Sequence, residues 1–270
     1  MKKGFEGGKD VRIMLVGDVV GRAGRRAFRT ITPRLRAERK VDVVIVNGEN
    51  SAGGKGFTRK ALDELYAGGA DIVTSGNHVW DKKDVFAFID EDPFLVRPAN
   101  YPEGTPGQGY CIFPFKAVNI AVMNLSGRSF MPALDCPFQK ADNILAEIEG
   151  KADIIVLDFH AETTSEKLAM AHYMDGRVDI VVGTHTHVQT ADEQILPAGT
   201  AYITDLGMVG ARSSILGVRT DLVIQKFRTG MPARFEMAEG AAEYAAVIAD
   251  VDPNGRSPGA IERILIREEE

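Results

Sequence analysis

Along the first 185 residues, short apolar runs alternate with longer amphipathic stretches, and each run closes on polar residues. The runs are "VRIMLVGD" (11–18), "VDVVIVN" (41–47), "ADIVTSGN" (70–77), "VNIAVMNL" (118–125), "ADIIVLDFH" (152–160) and "VDIVVGTH" (178–185). Their nearly unbroken, β-branched character predicts strands covered on both faces. Between them the spacing predicts helices over 24–39, 58–68 with Thr58 as N-cap, 82–91, 138–149, and 163–175 with Thr163 or Thr164 as cap. Pro33 is expected to bend or shorten the first of these. From about residue 195 the pieces become shorter: "TAYITD", "TDLVIQKF", "YAAVIADV" and "ERILIREEE" read as antiparallel strands. Strands alternating with helices predict an α/β fold. No low-complexity linker interrupts the pattern, so one domain over 11–270 is expected, after a flexible tail at 1–10.

Composition narrows the function classes. A chain of 270 residues can bury a full core, and 44% hydrophobic with 26% charged residues is ordinary for a globular enzyme. The formal charge of −6 leaves no excess of Lys and Arg for a general nucleic-acid-coating surface. The start "MKKGFEGGKD" lacks an apolar stretch after its lysines, so no secretory signal is read there. No apolar run reaches the roughly 20 residues of a membrane span. The two cysteines, Cys111 and Cys136, form no CxxC pattern. A cytoplasmic protein is expected. The apolar content and the short C-terminal strands would permit a homo-oligomer interface.

The polar residues that end the runs carry the chemistry. The first run ends in Asp18, the second leads to Glu49 and Asn50, and the third to Asn77 and His78. The 152–160 run ends in His160, and the 178–185 run leads into His185 and His187. Ligands of open α/β sheets and α/β barrels bind where loops leave the carboxyl ends of strands. Four of the five histidines fall in this set, and only His172, inside a helical pattern, reads as structural or surface. Together they predict a metal site. Oxygen and imidazole donors without thiolate suit Fe, Mn, Zn, Co or Ni. Seven candidate ligands (Asp18, Glu49, Asn50, Asn77, His160, His185, His187) exceed the needs of one ion. They fit two ions bridged by a carboxylate and a hydroxide, a centre whose residual positive charge would attract a phosphate ester.

The ordered set GD, NGEN, GNH, FH, GTHTH resembles the calcineurin-like metallophosphoesterases over residues 17–187. Val20 stands where that superfamily has its first His, and Glu49 where a bridging Asp is usual. With "GENSAGGKGFT" and "GNHVWD" the chain resembles the YmdB-like branch, similar to bacterial 2′,3′-cyclic-nucleotide phosphodiesterases. The resemblance implies a layered α/β/β/α sandwich of mixed sheets, with the metal site at the carboxyl ends of the strands. It implies two transition-metal ions, iron or manganese, and a small phosphodiester substrate. Asp18, Glu49, Asn50 and His187 would hold one ion; Glu49 would bridge to a second held by Asn77, His160 and His185. His78 would donate the proton to the leaving oxygen, after attack by the bridging hydroxide. An amide or carbamate hydrolase is the alternative chemistry, although there the HxH lies near the first strand. A non-catalytic, metal-stabilised regulatory protein is the other.

Weaker motifs remain. "GENSAGGKG" fails the P-loop spacing but could form a loop over a phosphate. Trp80 and Phe57 are candidate base-stacking residues and Arg128 a candidate phosphate contact.

Overall fold

The computed structural model describes residues 10–255 and 258–269, so the expected tail lies, apart from Asp10, outside the described residues. The chain order is β1 (Val11–Val16), β2 (Asp18–Val19), α1 (Gly21–Glu38), β3 (Val43–Asn47), α2 (Arg59–Ala67), β4 (Ile72–Thr74) and β5 (Leu95–Val96). There follow β6 (Tyr110–Phe115), β7 (Val118–Ser126), α3 (Pro137–Glu147), β8 (Ile154–His160), α4 (Thr164–Met174) and β9 (Ile180–Thr184). The chain closes with β10 (Gln194–Ile195), β11 (Ala201–Ile203), β12 (Met208–Ala211), α5 (Thr220–Thr229), β13 (Ala242–Val251) and β14 (Pro258–Arg267).

Two mixed sheets result. In the first, β1, β3, β4 and β5 run parallel, while β13 lies antiparallel to β1 and β12 on one edge and to β14 on the other. In the second, β7, β8, β9 and β11 are parallel, with β6 and β10 antiparallel at the edges. Side chains alternate across each strand. Ile13, Leu15, Val43 and Ile45 join Val122, Val156, Ile180 and Val182 in a buried cluster between the sheets. Their sequence neighbours Met14, Val16, Val44 and Val46 pack with Phe28, Ile31 and Leu35 of α1 and with Leu62 and Leu65 of α2. On the far side, Met123, Leu157 and Phe159 pack with Ile144 of α3 and Met170 and Met174 of α4. Helices thus cover both outer faces, the α/β/β/α layering that the resemblance implies, with the apolar runs covered on both faces as their pattern predicts.

Several elements depart from the sequence reading. Helix α1 is not shortened at Pro33 but runs on to Glu38, with the proline on its exposed face. The 82–91 stretch forms only a 3₁₀ turn, Lys83–Ala87. The "TDLVIQKF" piece is not a strand but α5, with Asp221 in its first turn, Lys226 and Arg228 in its last, and Gly230 left-handed at its end (φ 68°). Those are helix-terminus signals, and they outweigh the β-branched pair at its centre. The "TAYITD" piece contains β11, which pairs parallel with β9. Thr58 and Thr163 do cap their helices, accepting from the backbone N–H of Ala61 and Glu166.

Candidate metal centre

Every candidate ligand sits at or just past the carboxyl end of a strand: Asp18 opens β2 after β1, Glu49 and Asn50 follow β3, and Asn77 follows β4. On the second sheet, His160 ends β8, and His185 and His187 follow β9. The facing sheets bring the two halves together. His160 Nε2 lies 3.0 Å from Glu49 Oε1, 3.0 Å from Asn77 Oδ1 and 3.1 Å from His185 Nδ1. Ligand atoms of Glu49, His160 and His185 all fall within 4.8 Å of one another. A second group adjoins it, with His187 Nε2 3.3 Å from Asn50 Oδ1 and 3.8 Å from Asp18 Oδ1. The His185 backbone N–H donates to Asp18 Oδ2 at 3.3 Å and links the groups.

Hydrogen bonds at the rear of the rings decide what the fronts present. Thr184 Oγ1 donates to Asp158 Oδ1 at 2.7 Å, so toward His160 Nδ1, 2.9 Å away, it can only accept. His160 therefore carries its proton on Nδ1 and turns the Nε2 lone pair to the centre. The Leu216 carbonyl, 3.2 Å from His187 Nδ1, imposes the same tautomer there. His185 is reversed: Glu162 lies 3.0 Å from Nε2, which leaves the Nδ1 lone pair inward. Asn50 donates its amide to Gly54 O at 2.9 Å, which turns its oxygen toward His187. With His160 neutral, each group is a set of acceptors facing acceptors, an arrangement that a cation satisfies or, around His160, a proton taken up on Nε2. Asp18, fully buried, keeps Oδ1 without a hydrogen-bond partner among the described residues.

Charge follows the same lines. Burial pushes the Asp18 carboxyl well above its usual range, and the nearby Glu49 adds to the shift. Burial acts the same way on Glu49, but the charge and hydrogen bond of His160 outweigh it and bring that carboxyl down to about 2. For His160, burial opposes the charge while Glu49, Asp18 and Asp158 favour it, and the imidazole rises to about 9. His185 falls to about 3, through burial first and the neighbouring His160 second. The pocket therefore demands positive charge, and without a metal His160 is where it gathers.

Local backbone makes the assembly possible. His185 (φ 99°) and His187 (φ 64°) both occupy the left-handed region, where a side chain costs roughly 1–3 kcal/mol unless the surroundings enforce it. A Cβ on Gly76 would lie 2.4 Å from both Glu49 Oε2 and His160 Nε2, so only glycine leaves room for the ligands.

His78 stands beside the centre. Its backbone N–H donates to Glu49 Oε2 at 2.9 Å, and its Nδ1 lies 3.1 Å from Asp81 Oδ2. Its side chain is one-third exposed, and among the described residues Nε2 has no hydrogen-bond partner. His172 is exposed on α4. Phe57 is fully buried and cannot stack on a ligand, while Trp80 stacks on Phe86 and meets Tyr101 edge-on. Arg128 is exposed in the loop after β7. Sequence reasoning missed Asp81, Asp158, Glu162 and Thr184, the residues that orient the imidazoles. The first three are carboxylates within three positions of a chosen histidine, which was the available signal.

The sequence profile described as "YmdB-like protein" matches residues 14–264. The chain is 51% identical over 259 residues to the 2′,3′-cyclic-nucleotide 2′-phosphodiesterase of Bacillus subtilis, covering 96% of this chain and 98% of that protein. A crystal structure of a hypothetical protein from Thermus thermophilus superposes with TM-score 0.91 and 42% identity, over 96% of this chain and 100% of that one. A structure described as a novel phosphatase of Mycoplasma pneumoniae gives TM-score 0.92 and 36% identity, over 97% and 95%.

Proposed function

Because the chain belongs to the YmdB-like family, we propose that it is a dinuclear-metal phosphodiesterase that opens 2′,3′-cyclic nucleotides to monoesters. The observation that carries the reading is the convergence of Glu49 Oε1, Asn77 Oδ1 and His185 Nδ1 within 3.1 Å of the His160 Nε2 lone pair. Asp18, Asn50 and His187 would hold one ion, Asn77, His160 and His185 the other, and Glu49 would reach both. The ions, iron or manganese as the resemblance to the metallophosphoesterases implies, would supply Lewis acidity and make a water nucleophilic toward phosphorus at neutral pH.

The chain's own residues do the rest. Asp18 and Glu49 are the two carboxylates of the set, so against two divalent ions the site keeps a net positive charge toward an anionic diester. Asp81 holds His78 by Nδ1 and leaves Nε2 to pass a proton to the departing ribose oxygen. The bond from the His78 backbone to Glu49 sets that imidazole at a defined distance from the bridge. The loop at 50–54, folded back by Asn50 on Gly54, and the left-handed Gly53, Gly54 and Gly56 form the adjoining rim. Among the described residues no helix is long and apolar enough to cross a membrane.

The test is a panel of 2′,3′-cyclic nucleotides, phosphomonoesters and amides with Mn²⁺- or Fe²⁺-loaded protein. Diesters should turn over fastest. A loaded sample that cleaves monoesters but no diester would overturn the assignment.

A further inference from the structure

Lys167 and Asp205 form an ion pair in which both side chains are 1% exposed and Nζ lies 2.6 Å from Oδ2. Neither residue belongs to the centre, and a buried pair of charges is weak as a source of stability alone. What Asp205 touches is more specific. Its Oδ2 also accepts from Thr186 Oγ1 at 2.7 Å and Thr186 N at 3.1 Å, and Oδ1 accepts from Gly207 N at 2.8 Å. Its backbone is paired with Thr190, N–H to Oγ1 at 3.0 Å and O to N at 3.1 Å. Thr186 is the residue between His185 and His187, so Asp205 grips the turn at its centre and at its end.

We propose that Asp205, backed by Lys167, is the positioning residue of this turn, and that it sets His185 toward one ion and His187 toward the other. The proposal rests on the dinuclear reading above. Both histidines hold left-handed backbone, a conformation that relaxes unless the residue between them is anchored. Asp205 supplies that anchor with a single carboxylate oxygen, Oδ2, which accepts from both the hydroxyl and the backbone N–H of Thr186. Lys167 neutralises the carboxylate from α4, and its stem reaches across β9 because Gly183 has no side chain: a Cβ there would lie 2.9 Å from Lys167 Cδ. Glycine, lysine and aspartate thus act as one device, although they come from three separate segments.

The experiment measures Co²⁺ binding to the metal-stripped full chain by calorimetry and visible absorption, with Tm recorded for each variant. Asp205→Asn offers one acceptor oxygen where two are needed, so either Thr186 or Gly207 loses its partner. It should weaken Co²⁺ binding by roughly 10–100-fold, the usual range for an outer residue that orients ligands, and alter the Co²⁺ spectrum. Thr186→Val should weaken binding less, and Thr186→Ser, which keeps the hydroxyl, should restore it. Tyr244→Phe, which removes only a buried bond to Thr32 on the far face of the first sheet, serves as the stability control. It should lower Tm without changing affinity. Wild-type affinity in Asp205→Asn, or an equal affinity loss in Tyr244→Phe, overturns the proposal and leaves the dinuclear reading standing. A wild-type chain that takes up no Co²⁺ overturns both.

Discussion

At the amino ends of β1 and β3, Asp10, Arg12, Lys40, Asp42 and Asp250 line a cavity of about 530 Å³. At the carboxyl ends of the same strands, buried Asp18, Glu49 and Asn50 crowd against buried His160 and half-buried His185 and His187. In the first place Arg12, Asp42 and Asp250 each meet an opposite charge. Arg12 makes a two-pronged contact with Asp250, Nε and Nη2 each 2.7 Å from a carboxylate oxygen, and Lys116 reaches Asp42 at 3.2 Å. In the second, lone pairs face lone pairs and, among the described residues, Asp18 Oδ1 is orphaned. Volume and charged residues therefore do not identify a site; charge left uncompensated by the protein does.

The sharpest way to break this contrast is Glu49→Gln. If Glu49 reaches both ions, metal content should fall from two ions to one or fewer with the fold intact. An ion contributes several kcal/mol to phosphoryl chemistry, so at about 1.4 kcal/mol per tenfold the diesterase rate should drop by roughly 10³ or more. Elemental analysis that still finds two ions per chain would count against the bridge.

His78→Ala should slow cleavage of a nucleoside diester by roughly 10²–10⁴-fold, the range of a positioned acid, with metal content unchanged. The loss should shrink on a nitrophenyl diester, whose leaving group departs without a proton. Equal losses on both substrates, or a missing ion, would make His78 a ligand or an orienting group.

The pH dependence separates the metal-free from the loaded centre. Folding raises His160 from 6.5 to about 9, so its contribution to stability is complete below 6.5 and is lost as pH rises through about 9. Asp18, also raised, acts in the same direction, whereas Glu49, lowered to about 2, matters only in acid. Chelator-treated protein should therefore show a falling Tm between pH 6.5 and 9. Loaded protein, in which an ion takes the place of that proton, should not. Parallel pH profiles for the two forms would mean that metal and proton do not compete for His160.

The smallest effect belongs at the other end. Arg12→Gln breaks a partly exposed pair and should cost about 1 kcal/mol or less, with metal content and turnover unchanged. A change in turnover would give the amino-end cavity a role that its paired charges do not suggest.

Much of the centre was legible in the sequence, because each candidate ligand follows an apolar run, and that is a local pattern. His160, His185 and Glu49 were each found this way. Their orientation was not, since the proton on His160 is decided by Asp158 through Thr184, and that of His187 by a carbonyl 29 residues away. The misread elements failed for local reasons of their own. In α5 the helix-ending residues outweighed a β-branched pair, and in α1 Pro33 lay on the exposed face of the helix.

The sequence by itself determined which side chains end the strands, and hence the chemistry available at one edge of the fold. It also determined the layering, since strands apolar on both faces must be covered on both. Only the tertiary structure decided that the ends of two different sheets meet, that the acceptors converge without donors, and that Lys167 and Asp205 stand behind the histidine turn. Those outcomes depend on contacts between residues tens to hundreds of positions apart, and neither periodicity nor local motif records which distant group will share a buried carboxylate or hold a ring nitrogen's proton.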